Sequence, residues 1–413
     1  MEPNVALHKR IEVVDALRGL ALVLIVLIHC VEHFEFFKRP EKFFLFTEAM
    51  DKAVMGWVFY LISGKAYSIF ALLFGLSFYI QLKRGEQRGE HFRLRFMWRL
   101  TILFAMGIIN SFLYRGDILH MYALFGLPLV LLWRVPTKWL VVLATLLFLQ
   151  LPIVWHTWQA FTQEGFTYAK NFGYGGTLNA PAREAYASSN ILDVFRYNTW
   201  NGRIVVWGWT YDNGRYMQLI AYFIVGLVLG RVAFFEKLAA WRKGIALTLL
   251  GAIAMYITFQ LLLKYLPNSE WGRWPRYFVV TLMKSWFSLA STVGTVCAVL
   301  LLYQFAGHWG IFRWLANFGR MSLSNYIIQS VIGTAFFYGF GLAMYRYMGS
   351  TWSLIYGVVF VVAQIMFSCW WMRHFRYGPF EWFWRVLTQM DLRIPMKRTA
   401  RPVEEEVPVM SER

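Results

Sequence analysis

An arginine and a histidine eleven residues apart, Arg18 and His29, stand at the two ends of an uncharged apolar run in residues 15–33, DALRGLALVLIVLIHCVEH. At about 100° per residue that spacing closes to within about 20° of three helical turns and rises about 16 Å. Arg18, Leu22, Ile25 and His29 therefore share one helix face. Asp15, three residues before Arg18, and His33, four after His29, extend the same stripe. Ionisable side chains at membrane depth are expensive and normally point into protein or water, so this face is expected to line a cavity. Neutral imidazole, with an unperturbed pKa of about 6.5, suits a general base or a nucleophile. A blander reading stands beside it: Asp15 and Arg18 as an i, i+3 pair that anchors the helix, and His29 as a satisfied interfacial side chain. The company of Glu32 and His33 favours the chemical reading.

Other polar groups gather at the ends of apolar runs. Asp117 opens one of them and is placed to cap it, and His120 follows on the same face at about the depth of His29. A metal held by two histidines would need a third ligand, from Glu32 or Asp117, and no metal is expected. Ser322, Asn325 and Gln329 form an i, i+3, i+7 stripe that either bonds to other helices or lines a ligand path. Arg18, Arg95, Arg99 and Arg320 form a basic group suited to a polyanion such as the phosphates of coenzyme A. Anchoring at the membrane surface explains such arginines equally well. In a transfer reaction Glu32 or Asp117 would orient His29, and Asn325 or Tyr122 would donate to an oxyanion. The candidate substrate-binding set is His33, Asp117, His120, Tyr122 and Asn325.

The elements that must position these groups are membrane helices. The chain has 413 residues, 58% hydrophobic and 15% charged, too apolar for a soluble domain of this size. An all-α polytopic membrane protein is expected, with about ten spans at about 20 apolar residues each. They fall near 17–31, 54–82, 96–113, 118–133, 139–155, 216–229, 245–263, 278–305, 322–345 and 352–372, the second interrupted at Ser63, Gly64 and Lys65. Most of the 41 Lys and Arg residues lie in the loops on the N-terminal side of the first span, which predicts both termini in the cytoplasm. The net charge of +18 follows from that bias, and no motif points to nucleic acid. Residues 1–375 read as one membrane domain with a long outer segment at 159–213. Residues 376–413 read as a cytoplasmic tail with an amphipathic interfacial helix near Pro379 to Leu387 and an acidic run, Glu404 to Glu406. The first ten residues read as leading into a retained helix rather than a cleaved signal. Cys30, Cys297 and Cys369 are far apart and form neither a metal nor a disulfide pattern.

Four ordered motifs carry a resemblance: Asp15-Ala16-Leu17-Arg18-Gly19; Gly116-Asp117-Ile118-Leu119 with Tyr122; Gly319 to Tyr326 (GRMSLSNY); and Gly378-Pro379-Phe380-Glu381-Trp382 with Arg385. Together they resemble the YeiB-like family of bacterial inner-membrane proteins, a domain of unknown function, across almost the whole chain. The first helix also looks like that of the integral-membrane acyltransferases that modify bacterial surface sugars. There an Arg and a His are essential. The lysosomal heparan-glucosaminide N-acetyltransferase is similar in outline. In the YeiB-like pattern an Asn usually stands at the place of His29, so this chain departs toward the acyltransferases.

The resemblance implies acyl transfer across a bacterial inner membrane, from cytosolic acyl-CoA (acetyl-CoA) to a carbohydrate or lipid-linked acceptor. Asp15, Arg18 and His29 would be the catalytic set, and Trp200, Trp207, Trp209 and Tyr211 would stack on a sugar or form an interfacial belt. A transporter or flippase using His29 and Asp15 as a proton relay is the rival, and a non-catalytic scaffold is a third reading. The oligomeric state is open, a dimer among the options.

Overall fold

The structure is a computed structural model that describes residues 11–38, 40–42, 45–87, 92–170, 177–266 and 270–398. Lys9, Arg10 and the acidic run Glu404 to Glu406 lie outside the described residues. In chain order the helices are α1 (Glu12–Val31), α2 (Glu48–Ile62), α3 (Lys65–Gln87), α4 (Phe92–Leu113), α5 (Leu119–Phe125), α6 (Leu129–Leu132), α7 (Thr137–Leu149) and α8 (Leu151–Thr162). There follow α9 (Asn179–Ala187), α10 (Ile191–Tyr197), a π turn (Asn198–Gly202), α11 (Arg203–Asp212), α12 (Arg215–Arg231), α13 (Arg242–Tyr265) and α14 (Arg273–Ala306). The last are α15 (Gly310–Arg320), α16 (Ser322–Phe337), α17 (Ser350–His374) and α18 (Pro379–Gln389). Among the described residues the fold is all-α.

Among the described residues, seven helical stretches are long and apolar enough to cross a membrane: α1, α2 with α3, α4, α7 with α8, α13, α14 and α17. The chain is a multi-pass membrane protein. Three of the ten expected spans fall on shorter helices. The run at 118–133 is split by Pro128 into α5 and α6, since proline has no N–H to continue a helix. That at 216–229 becomes α12, of 17 residues. The run at 322–345 ends as α16 at Phe337, where Tyr338 turns extended.

Two spans are broken. Gly64 adopts φ +81° between α2 and α3, and a Cβ there would strike the Ser288 hydroxyl of α14. Gln150, at φ 55°, separates α7 from α8, is fully buried and hydrogen-bonds Ser285 of the same helix. Both breaks are thus covered by α14, as irregular backbone at membrane depth requires.

α1 is the central helix, 61% of its apolar window buried against 11% for α13. It packs on α15, α17 and α3, and glycines set the closest of these contacts. A Cβ on Gly19 would collide with the Leu315 carbonyl, and one on Gly319 with the carbonyl of Asp15. Small residues let helix backbones approach in this way. At the periphery, α13 shows Leu247, Leu250, Ile253 and Ile257 outward, the surface a hydrocarbon solvent accommodates. The described part of the segment at 159–213 is largely helical. Its Asn198 donates to the carbonyls of Phe112 (3.0 Å) and Leu113 (3.2 Å), which seats it on the end of α4.

Candidate functional site

α1 carries His29 in its last turn, with 20% of the side chain exposed. The Tyr114 hydroxyl lies 3.0 Å from Nδ1 and 3.2 Å from Nε2 of that ring. Glu32 Oε2 is 3.4 Å from Nδ1, and Phe34 packs beside the ring at 5.7 Å. Tyr114 belongs to the tight turn that follows α4. In the same turn, Arg115 donates from Nε to Glu35 Oε2 (2.6 Å), from Nη2 to the Glu35 carbonyl (3.2 Å) and from Nη1 to the Tyr197 hydroxyl (3.3 Å). Burial pushes the Glu32 carboxyl up, against the downward pull of the adjacent His29. An imidazole, a phenol, two carboxylates and a guanidinium thus meet at one end of α1. Such a set can take, hold and return a proton.

Next to it Asp117 is fully buried. It accepts from the Leu119 amide (3.1 Å) and from Asn110 Nδ2 (3.1 Å), and Asn110 also donates to Ser330. Asp117 therefore caps α5, as its position in the sequence suggests. The Tyr326 hydroxyl accepts from the Ile118 amide at 3.1 Å. His120 is buried beside Asp117, 3.5 Å away, with Trp207 next to its ring. Among the described residues no three His, Cys, Asp or Glu side chains gather as a metal-ligating group.

At the other end of α1, Arg18 is paired with Asp15 (2.8 Å) and donates to Ser77 Oγ (2.5 Å). Arg99 stacks on Trp384 of α18 at 3.6 Å and lies within electrostatic reach of Arg18 and Arg385. Arg385 itself covers the Tyr377 ring at 4.5 Å. Arg95 is on the exposed face of α4, and Arg320 turns toward Asn317 (3.5 Å). Of the four arginines expected to hold a polyanion, the structure gathers Arg18 and Arg99, and it adds Arg385 from the helix expected only to lie on the membrane. That helix is also tied inward: Glu381 accepts from the amides of Leu323 (2.7 Å) and Ser324 (3.1 Å) and from Ser324 Oγ (2.5 Å). It caps the start of α16 from another part of the chain.

Several expected placements change. Midway along the face from Arg18 to His29, where a cavity is expected, Leu22 and Ile25 are buried with Ala66, Phe318 and Tyr326. Two aliphatic residues are better accommodated by packing than by water. His33 leaves the stripe because α1 ends at Val31 and residues 33–35 have φ between 52° and 67°. Its Nε2 meets Ser353 Oγ at 2.9 Å and its ring stacks on Phe337. Asn325 donates to the Phe318 carbonyl (3.1 Å) and Ser368 Oγ (3.0 Å), while Gln329 bonds Gln364 (2.9 Å). The polar stripe of α16 is thus spent on helix contacts. Tyr122 donates to the Tyr67 carbonyl, away from His29. Of the aromatic set, Trp207 is packed against His120 and Phe125, whereas Trp200, Trp209 and Tyr211 are exposed, Trp209 beside Arg215 and Tyr211 stacked on Tyr216. Tyr114 and Glu35 carry no role in the sequence reading, and Glu381 and Arg385 enter it only as motif residues. Tyr114 was signalled only by its place beside the Arg115-Gly116-Asp117 turn.

Each of the four motifs touches another. Gly319 packs on Asp15 and Gly19, Ile118 bonds Tyr326, and Glu381 caps Leu323 and Ser324. Comparison with known proteins follows the same division. Residues 10–171 match the family described as Heparan-alpha-glucosaminide N-acetyltransferase, catalytic, and residues 229–391 that described as Protein of unknown function (DUF418). Uncharacterized protein YeiB of Escherichia coli (strain K12) is 28% identical, over 97% of this chain and 100% of its own. Uncharacterized protein YxaH of Bacillus subtilis (strain 168) is 27% identical, over 95% and 97%. An uncharacterized 39.9 kDa protein of Bacillus acidopullulyticus is 23% identical, over 94% and 96%. Along nearly its whole length the chain is therefore similar to YeiB, YxaH and the Bacillus acidopullulyticus protein, while its residues 10–171 match the model of an N-acetyltransferase catalytic region.

Proposed function

We propose that the protein is a membrane acyltransferase that moves an acetyl or similar acyl group from acyl-CoA to a hydroxyl or amine. The observation that carries this reading is the polarity of α1: an acid–base cluster centred on His29 at one end and the arginines Arg18, Arg99 and Arg385 at the other. The match of residues 10–171 to the catalytic region of heparan-alpha-glucosaminide N-acetyltransferase supports the acetyl donor.

The arginine group holds the phosphates of coenzyme A by charge-assisted hydrogen bonds. At the other end His29 removes the proton from the acceptor as its oxygen or nitrogen attacks the thioester carbonyl. The new C–O or C–N bond forms, the C–S bond breaks, and the departing thiolate takes the proton back from the imidazolium. The Tyr114 hydroxyl accepts from the ring N–H, which leaves the other nitrogen free to take the acceptor's proton, and Glu32 stabilises the imidazolium. Leu22, Ile25, Phe318 and Tyr326 must part for the thioester to reach His29, so the cycle includes an opening between α1 and the α15–α16 pair.

In this reading the arginine end faces the cytoplasm, both termini lie there, and the remaining short helices complete about ten crossings of a bacterial inner membrane. The acceptor, a carbohydrate or a lipid-linked group, arrives from the opposite side beneath the helical segment at 159–213. Residues 1–375 then act as one membrane unit with the remainder as its cytoplasmic tail.

The test is turnover of radiolabelled acetyl-CoA by detergent-solubilised protein. The reading requires that wild type release coenzyme A, that His29→Ala does not, and that Arg18→Ala weakens coenzyme A binding. A wild type that neither binds nor consumes acyl-CoA would refute it.

A further inference from the structure

An apolar cleft lies between α3, α12, α13 and α14. Leu72 of α3, Leu229 of α12, Ile245 of α13 and Val296 and Leu300 of α14 help to enclose about 340 Å³. Its lining along α14 runs from Thr292 to Leu300, about 12 Å at the rise of an α-helix. The volume equals about eleven groups of water size, at roughly 30 Å³ each. Those dimensions are those of a slot for one alkyl chain rather than for a compact solute. It lies among membrane helices, beside the outward-facing leucines and isoleucines of α13, where hydrocarbon chains are the surrounding solvent.

The connection from Val232 to Trp241 borders one end of the cleft through Val232, Phe234, Phe235 and Trp241. Around it Lys237, Arg242 and Lys243 are all exposed, with Glu236 the acid among them. Arg242 lies over the Phe305 ring at 4.2 Å, which holds its guanidinium near the helix ends. A slot for a chain thus adjoins a basic surface at the level where a lipid headgroup would sit. We propose that the cleft seats one acyl chain of an anionic phospholipid drawn from the bilayer, its phosphate resting on Lys237, Arg242 and Lys243. Basic residues next to membrane helices attract anionic headgroups, and chain burial adds affinity with each methylene. This inference does not depend on acyl transfer.

Gly244 gives direct access to the slot. It lines the cleft, and a Cβ built there meets only the Trp241 ring, at 3.7 Å, an ordinary contact. Gly244→Phe therefore folds and places its ring in the path of the chain, and Thr248→Trp blocks the same space from the next turn. The experiment is native mass spectrometry of the full chain after detergent exchange, with phosphatidylglycerol and phosphatidylcholine as competing probes. Wild type retains phosphatidylglycerol about tenfold better than phosphatidylcholine. Gly244→Phe and Thr248→Trp lose the retained lipid, whereas Leu247→Phe, on the outward face, keeps it. The triple substitution Lys237→Gln, Arg242→Gln, Lys243→Gln abolishes the preference between the two lipids. Retention that survives both blocking variants overturns the proposal. So does a wild type that holds the two lipids equally, or an undiminished preference in the triple variant.

Discussion

The Tyr114 hydroxyl lies within hydrogen-bond distance of His29, 3.0 Å from Nδ1 and 3.2 Å from Nε2. A residue in the turn after α4 thereby holds the one histidine that α1 presents. Tyr114→Phe removes that bond and leaves the ring packing, so the transfer rate falls by about 3- to 10-fold, the worth of one hydrogen bond. His29→Ala lowers it by about 10²–10⁴-fold, as loss of a general base does. Acetyl transfer by the purified variants, measured beside wild type with a thermal melt of each, checks both values.

Arg385 joins Arg18 and Arg99 in the proposed coenzyme A site. Arg385→Gln is expected to raise KM for acetyl-CoA about tenfold, the scale of one charge-assisted hydrogen bond, with kcat nearly unchanged. Arg95→Gln, on the exposed face of α4, is expected to leave KM within about twofold. Steady-state kinetics on the purified variants decide the matter.

His33 provides a stability switch. Burial pushes its imidazole down to about 4, whereas the unfolded chain titrates near 6.5. The folded state therefore binds this proton more weakly than the unfolded state. Its contribution is complete above pH 6.5 and is lost as pH falls toward 4, on the order of 1 kcal/mol per pH unit. The melting temperature should decline across that window in wild type, with a shallower slope in His33→Gln.

Gly319 meets the backbone of α1. Gly319→Val forces α1 and α15 apart and is expected to cost about 3 kcal/mol, seen as aggregation on gel filtration or a lowered melting temperature. Gly251→Val is the control, because a Cβ there meets nothing within 4 Å.

The sequence makes the membrane class, the long helices and the polarity of α1 legible, because each rests on local periodicity. Arg18 and His29 do lie on one uninterrupted helix. The prediction for His33 fails because periodicity was carried two residues past the helix end, and nothing in Glu32-His33-Phe34 announces a left-handed backbone. The short helices α5, α6 and α16 were merged or lengthened because apolar composition does not record where a chain turns. Tyr114 and Glu381 were out of reach for another reason. Tyr114 lies 85 residues from its partner and Glu381 lies 58 and 57 from its two, and single-sequence reasoning has no measure of such pairings.

Asp51 accepts from the Ser350 and Thr351 amides at 3.0 Å, bonds 299 and 300 residues long in sequence. Gly319 reaches Asp15 across a similar interval. At a synthesis rate of about 5–20 residues per second, α1 enters the bilayer roughly 15–60 s before α15 and α17 exist to cover it. Until Ser77 and Tyr114 follow, 59 and 85 residues later than their partners, its charges have only what lies within their own helix. The Asp15–Arg18 pair, three residues apart, forms as soon as the first turn does, so it acts as an internal counter-ion for a nascent segment. The same pair that orders the finished centre thus makes α1 tolerable to lipid while it is still alone.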